Sequence, residues 1–317
     1  MALYSNVDGG ELRGLSLCSG YGGLELGISI AEPGYRTVCF VEREAHAAAA
    51  LVARMEDKAL EQAPVWDDLK SFDGHAWRDR VHILTAGYPC QPFSMAGKRC
   101  GKNDPRHLWP EVERIIGEVR PTAVFAENVE GHIDLGFAEV AASLQKLGYY
   151  TKAGLFTARE VGASHRRRRL FLLAYADGER CGLYAGSDTG GRFDHDQVTV
   201  LHGGDELGPV LADKCSAGMV EHVDGDEGAW LASDREELAE CEAIFAPGPG
   251  ELQDWHRLLH RRPDLQPAIF RTRDGLADRV ERTRGAGNGV CSLAAAFAYR
   301  TLKADFVGDA AGSGVNQ

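Results

Sequence analysis

The sequence predicts an α/β fold whose largely parallel sheet is covered by helices on both faces, with a smaller irregular region inserted toward the C-terminal end. Three observations carry this. Short β-branched and apolar runs alternate with helix-forming runs between residues 13 and 174, the pattern of a parallel sheet with crossover helices. A glycine turn joins the first strand to the first helix. From Asp177 the alternation stops, and glycine, Asp and Glu take over.

The elements follow in order. RGLSLCSGYGGLELGISI (13–30) reads as strand, glycine turn and helix. RTVCFVE (36–42) is a second strand, and the alanine-rich EAHAAAALVARM after it is a helix by propensity. VHILTAG (81–87) is a third strand. A helix after Trp109 carries Pro110 in its first turn, where a missing N–H costs nothing. TAVFA (122–126) is a fourth strand, and FAEVAASLQKL (137–147) a helix stopped by Gly148. Residues 149–157 and 168–174 are later strands. GDELGPV, HVDGDEG and APGPGE read as turns of a second region, order returns near Trp255, and GNGVCSLAAAFAYRTL turns into an apolar helix before a frayed tail.

Composition bounds the class. The chain has 317 residues, 44% apolar and 26% charged, which suits about two folded domains at roughly 150 residues each and excludes wholesale disorder. No apolar run of about 18 residues is present, so no membrane span is expected. The first residues lack the basic and apolar segments of a secretory signal. The eight cysteines form no CxxC pair, which points to a reducing, cytoplasmic setting rather than to disulfides or a ribbon-type zinc site. Cys181, His195, His202, Cys215, His222 and Cys241 match no compact zinc spacing, and no metal is expected. The net charge of −12 argues against nucleic acid until its distribution is read. Residues 177–254 hold 19 acids and 4 bases, while the rest of the chain is net +3.

Several positions carry chemistry. Glycines 20, 22 and 23 let a cofactor approach the backbone, and Glu42, at the end of the second strand, sits where an acid holds ribose hydroxyls. Glu25 stands where a dinucleotide motif needs its third glycine; a carboxylate there repels pyrophosphate but suits a cationic cofactor. Cys90 lies at the carboxyl end of a strand, bracketed by Pro89 and Pro92, a stiff mount for a thiolate nucleophile. A buried structural cysteine is the bland alternative. Glu127 ends the next strand and could give a hydrogen bond or proton to a ring nitrogen; a surface cap is equally compatible. Arg167 and Arg169 share one face if both already lie on a strand. Lys98, Arg99, Lys102 and Arg106 make the loop after Cys90 basic, suited to closing over a substrate.

Taken together, the S-G-Y-G-G turn, Glu42, Asp68-Leu69, G-Y-P-C-Q-P-F-S, Glu127-Asn128-Val129, the Arg167-x-Arg169 pair and Gly287-Asn288-Gly289-Val290 resemble the DNA (cytosine-5) methyltransferase family, in the family's order. The resemblance covers about 14–175 and 279–300. It implies a Rossmann-like S-adenosylmethionine-dependent methyltransferase sheet and a smaller target-recognition region. Cys90 would add to C6 of a flipped-out cytosine, Glu127 would hold N3 and the exocyclic amine, and Arg167 would face the ring with Arg169 in support. Cys18, Gly20, Gly23, Leu24, Glu42, Asp68, Pro89 and Asn288 would lie at S-adenosylmethionine, and Gln91, Ser94, Lys98, Arg99 and Arg106 at the substrate. The implied partner is double-stranded DNA, met by a monomer with no membrane contact and with a cognate restriction enzyme as a further candidate.

The sequence departs from the family at Cys18, usually aromatic, at Ser16, commonly an acid, at His165, and after Val290, where a proline is frequent. The expected organisation is a catalytic domain at 1–175, a target-recognition region at 176–270 containing the acidic, mobile segment 177–254, and a C-terminal segment 271–317 that returns to the catalytic domain near the glycine turn. Acidic groups repel phosphates, so the arginines of 257–284, Arg257, Arg261, Arg262, Arg271 and Arg273 among them, are the expected DNA contacts. The alternatives are the same chemistry on tRNA, a catalytically silent DNA-binding relative, and an unrelated thiol enzyme.

Overall fold

The computed structural model describes residues 11–89, 108–176, 200–202, 252–261 and 289–312, together with Phe245 and Pro247. Its elements are β1 (Leu12–Leu17), α1 (Gly23–Ala31), β2 (Tyr35–Val41), α2 (Ala45–Glu56), β3 (Val65–Trp66), β4 (Ile83–Ala86), α3 (Trp109–Val119), β5 (Ala123–Val129), α4 (His132–Leu135), α5 (Phe137–Lys146), β6 (Tyr149–Thr157), β7 (Arg168–Ala176), β8 (Val200–His202), α6 (Leu252–Arg261) and α7 (Ser292–Gly312).

The strands form one sheet in the order β3-β2-β1-β4-β5-β7-β6-β8. From β3 through β5 every pairing is parallel, and β7 runs antiparallel to both neighbours, β5 and β6. This is a Rossmann-like sheet with helices on both faces. The chain steps outward from β1 through β2 to β3, then returns to lay β4 on the other side of β1. That reversal opens a crevice at the carboxyl ends of β1 and β4, the usual ligand position in such sheets.

Alternation along the strands builds two cores. On one face Leu15, Leu17, Leu84, Ala86, Val124 and Leu172 pack against Val112, Ile115 and Ile116 of α3 and Val140 and Leu144 of α5. On the other, Leu12, Ile83, Phe125 and Leu173 meet Leu24 and Ile28 of α1 and Ala295, Tyr299 and Leu302 of α7. Phe40 on β2 and Leu51 and Met55 on α2 form a small third cluster. α7 thus lies in the layer of α1 despite its distance in sequence. The approach is close: a Cβ on Gly23 would fall 2.7 Å from the Val290 carbonyl oxygen, so only glycine fits at that position.

Three features were not foreseen. β3 has two residues and α4 four, too short to show a period. β8, inside the stretch expected to be irregular, extends the sheet as a parallel neighbour of β6. The expected shared face of Arg167 and Arg169 also fails. β7 starts at Arg168, and Arg167 precedes it at φ 33°, outside the strand, so alternation does not align the two side chains.

The chain divides into two compact units, 1–157, 168–203 and 273–317 in one, 158–167 and 204–272 in the other. In the second unit the described residues include a 3-10 turn at Arg159–Val161 and α6, whose exposed Arg257 pairs with Asp254 at 3.3 Å.

Candidate active site

The first half of the site grows from the end of β1. Cys18 and Gly20 both adopt left-handed backbone, φ 52° and 53°, turning the chain back across the end of β2. The turn is strapped there: the Ser19 N–H and Oγ both donate to the Val41 carbonyl at 3.2 Å. The Gly20 N–H donates to Glu42 Oε2 at 2.7 Å, and the Glu44 N–H to Oε1 at 2.7 Å. Glu42 is therefore aimed before any ligand arrives. Nothing lies within 4 Å of a Cβ placed on Gly20, so the turn faces open space on that side. Leu24 is buried at the start of α1.

Cys18 is half-buried, and its thiol is pushed up to about 12, first by burial and then by the Glu42 charge. It is a neutral thiol rather than a nucleophile. Asp68 caps the short turn Leu69–Ser71, its Oδ1 accepting the Lys70 N–H at 3.0 Å. β3 places Trp66 beside it. The Trp66 carbonyl accepts the Glu42 N–H at 2.9 Å, and its indole is 45% exposed. No local sequence pattern singles out Trp66. An aromatic side chain left largely exposed next to Glu42 is a candidate stacking surface for a heteroaromatic ligand, and the pairing of β3 with β2 is what reveals it.

Glu25 does not face the crevice. It is buried under the turn, with Oε1 accepting from Ser16 Oγ at 2.7 Å and Thr85 Oγ1 at 2.6 Å, while Oε2 is buried without a hydrogen-bond partner. Burial raises its carboxyl above the ordinary range, against the opposing effect of the two hydroxyls. The helix thus supplies a carboxyl to the Ser16 hydroxyl on β1.

The second half of the site is built by β4 and β5 side by side, with Ala86 opposite Ala126. Both strands end at the crevice, β4 running out through Gly87-Tyr88-Pro89 and β5 through Glu127-Asn128-Val129. Asn128 Nδ2 donates to the Tyr88 carbonyl at 3.2 Å, tying the two strand ends together. Glu127 is 9% exposed and meets Arg169 Nε at 3.1 Å. Arg169 stands opposite Val129 in the β5–β7 ladder, so Glu127 is its diagonal neighbour on the same face. Arg168 turns the other way, to Glu130 at 2.7 Å. A carboxyl held by a guanidinium, one residue before the Asn128 that binds the Tyr88 carbonyl, can present hydrogen bonds to one edge of a planar heterocycle.

Of the expected site residues, the structure brings Cys18, Gly20, Gly23, Leu24, Glu42 and Asp68 to one side of the crevice and Pro89, Glu127 and Arg169 to the other. Cys90, Gln91, Ser94, Lys98, Arg99, Arg106 and Asn288 lie outside the described residues, as do the cysteines and histidines weighed for zinc. Among the described residues one group of metal-type ligands converges, Asp73, His75 and Glu118. Glu118 is already engaged by Arg114 at 2.7 and 2.9 Å, and Asp73 by the His75 N–H at 3.0 Å.

The model of C-5 cytosine-specific DNA methylases matches residues 12–197. The chain belongs to that family. The chain is similar to the type II methyltransferase M.NgoMIV of Neisseria gonorrhoeae, 34% identical over 168 residues, which are 52% of this chain and 52% of that protein. M.PspPI of Psychrobacter sp. (strain TA137) is 34% identical over 54% of this chain and 40% of its own length. The matched stretch thus spans about half the length of these relatives or less. Among solved structures, a mutant DNMT2 of Spodoptera frugiperda aligns at 18% identity and a TM-score of 0.48, covering 67% of this chain and 61% of its own. The family match spans β1 through β7, the part of the cytosine methylase sheet that holds both halves of the crevice.

Proposed function

We propose that this chain transfers a methyl group from S-adenosylmethionine to C5 of cytosine in duplex DNA through a transient Cys90–C6 bond. The observation that supports this best is the pairing of strand ends: Asn128 ties Tyr88, two residues before Cys90, to the strand end that bears Glu127 and its Arg169 partner. Family membership supplies the reaction class.

The residues present fit the donor. Gly20 leaves open space beside a fixed Glu42 carboxylate, Trp66 offers an exposed aromatic surface, and no phosphate-binding third glycine is present. Glu42 would accept from ribose hydroxyls, and Cys18, Leu24, Asp68, Pro89 and Asn288 would line the rest. When bound, S-adenosylmethionine supplies an electrophilic methyl. Cys90 as thiolate adds to C6 of the flipped base, and Glu127 shares a proton with N3, so that the electron pair reaches C5. The bound donor would supply the methyl to that carbon from its sulfonium sulfur and leave as the neutral thioether. Loss of the C5 proton to a base then expels Cys90 and restores the ring. Arg169 keeps Glu127 aimed at the base edge, and Arg167 would meet the ring's carbonyl oxygen. A base inside a duplex cannot reach Cys90, so it must be extruded, at about a few kcal/mol.

Arg257, Arg261, Arg262, Arg271 and Arg273 would neutralise phosphates, with much of 177–254 facing away from DNA. The proposal takes the catalytic domain as 1–175, the recognition region as 176–270 and the returning segment as 271–317, acting as a cytoplasmic monomer with a cognate restriction enzyme. No described helix is long and apolar enough to cross a membrane. The test is incubation of the purified chain and labelled S-adenosylmethionine with duplex DNA and, separately, with tRNA. Label in DNA, and a persistent adduct on 5-fluorocytosine DNA that Cys90→Ser abolishes, is expected. Label in tRNA alone, or full turnover by Cys90→Ser, overturns it.

A further inference from the structure

Pro89 and Leu108, the latter just before α3, are the described residues that bound positions 90–107, which include Cys90. The residues flanking these two positions touch each other. The Tyr88 and Trp109 rings pack with centroids 5.0 Å apart. His132, the first residue of α4, closes the group: its ring lies edge-on to Tyr88 at 5.5 Å, and its Nε2 shares a hydrogen bond with the Tyr88 hydroxyl at 2.9 Å. All three side chains are buried. Trp109 is pinned in turn, its Nε1 donating to Ser143 Oγ at 2.9 Å.

We propose that Tyr88 and His132 are positioning residues for the nucleophile, their hydrogen bond fixing the base of the Cys90 segment; this rests on the assignment of Cys90 as nucleophile. The physical case is the cluster's asymmetry. Phenylalanine in place of Tyr88 would fill the same apolar space, so core packing alone asks for no hydroxyl. The hydroxyl adds a directional bond that fixes the far end of the Tyr88 ring in position and depth. Tyr88 is also held through its carbonyl by Asn128. The backbone that enters Pro89 is therefore fixed from both its main chain and its side chain, at the end of β4, which Asn128 ties to the β5 end that bears Glu127. A shift of about 1 Å in a reacting group can cost about a hundredfold in rate.

The test uses the full chain. Tyr88→Phe is expected to lower kcat about tenfold while KM for DNA stays within about twofold. His132→Leu is expected to match it, and His132→Gln, which keeps a hydrogen-bonding atom near Nε2, to recover most of kcat. The double variant Tyr88→Phe/His132→Leu removes both buried polar partners. It should regain thermal stability without regaining kcat. A second readout needs no methyl transfer: the alkylation rate of Cys90 by iodoacetamide, followed by peptide mass spectrometry, should change at least about threefold in Tyr88→Phe. Wild-type kcat and alkylation rate in that variant, or kcat that returns with stability in the double variant, overturn the proposal. A wild-type protein that transfers no methyl, yet whose Cys90 alkylation still depends on Tyr88, would sink the functional reading and leave the positioning role standing.

Discussion

Replacing Glu25 separates what its hydrogen bonds contribute from what its proton costs. Oε1 receives two short bonds, from Ser16 and Thr85, that stitch α1 to β1 and β4, and Oε2 is buried with no hydrogen-bond partner. Glu25→Ala removes both bonds, about 1 kcal/mol each, and opens a cavity worth about 1–2 kcal/mol more. The expected loss of about 3–4 kcal/mol lowers Tm by about 6–16 °C in a domain of this size. Glu25→Gln keeps the accepting oxygen and carries no titrating proton. In the unfolded chain a carboxyl ionises near pH ~4.3, and in the folded protein burial raises that point. The folded state therefore binds the extra proton more tightly. Glu25's contribution to stability is complete below about pH 4 and is lost as pH rises toward the folded value. Glu25→Gln lacks this slope. Its stability relative to wild type should climb between about pH 4 and pH 7 in urea titrations monitored by circular dichroism. A gap that is flat with pH, or that shrinks as pH rises, would refute the neutral-acid argument. Equal losses in the Gln and Ala variants at every pH would refute the role given to Oε1.

Four further outcomes are expected. Gly23→Ala forces a Cβ to 2.7 Å from the Val290 carbonyl oxygen, so it should lose about 1–3 kcal/mol of stability and weaken calorimetric binding of S-adenosylmethionine, because Val290 adjoins the Asn288 segment. Arg169→Leu leaves Glu127 without its guanidinium; kcat should fall about a hundredfold in the labelled-methyl assay, with cofactor affinity unchanged. At pH 8 the Cys18 thiol, pushed up to about 12, and the Cys39 thiol, pushed up to about 11 by burial, should resist iodoacetamide while Cys90 reacts, as peptide mapping will show. Arg257→Gln with Arg261→Gln should weaken duplex binding and lower the slope of log K against log salt by about 2; an unchanged slope removes α6 from the DNA contacts.

Much of the site was readable because it is local. A glycine turn between a strand and a helix, an acid at a strand end and a cysteine between two prolines are each written in a few consecutive residues, and strand-helix alternation places them at carboxyl ends. Other parts were not. β3 is too short to show a period, so no local signal marks Trp66. Arg167 and Arg169 looked like neighbours on one face, yet the left-handed backbone at Arg167 puts only Arg169 on the strand. The Tyr88–His132 bond joins residues on separate elements, and neither residue's neighbours announce the other.

The sequence by itself determined the layered α/β class and the order of its longer elements, because backbone propensity and side-chain period act over a few residues. Only tertiary structure decided which strands are neighbours. Laying β7 beside β5 gave Glu127 its arginine, and setting α7 against α1 closed the glycine turn with Val290. Seating α1 on β1 and β4 buried Glu25 where its carboxyl binds its proton more tightly than in water. Such pairings arise when distant apolar faces are buried together, and no local run of residues encodes them.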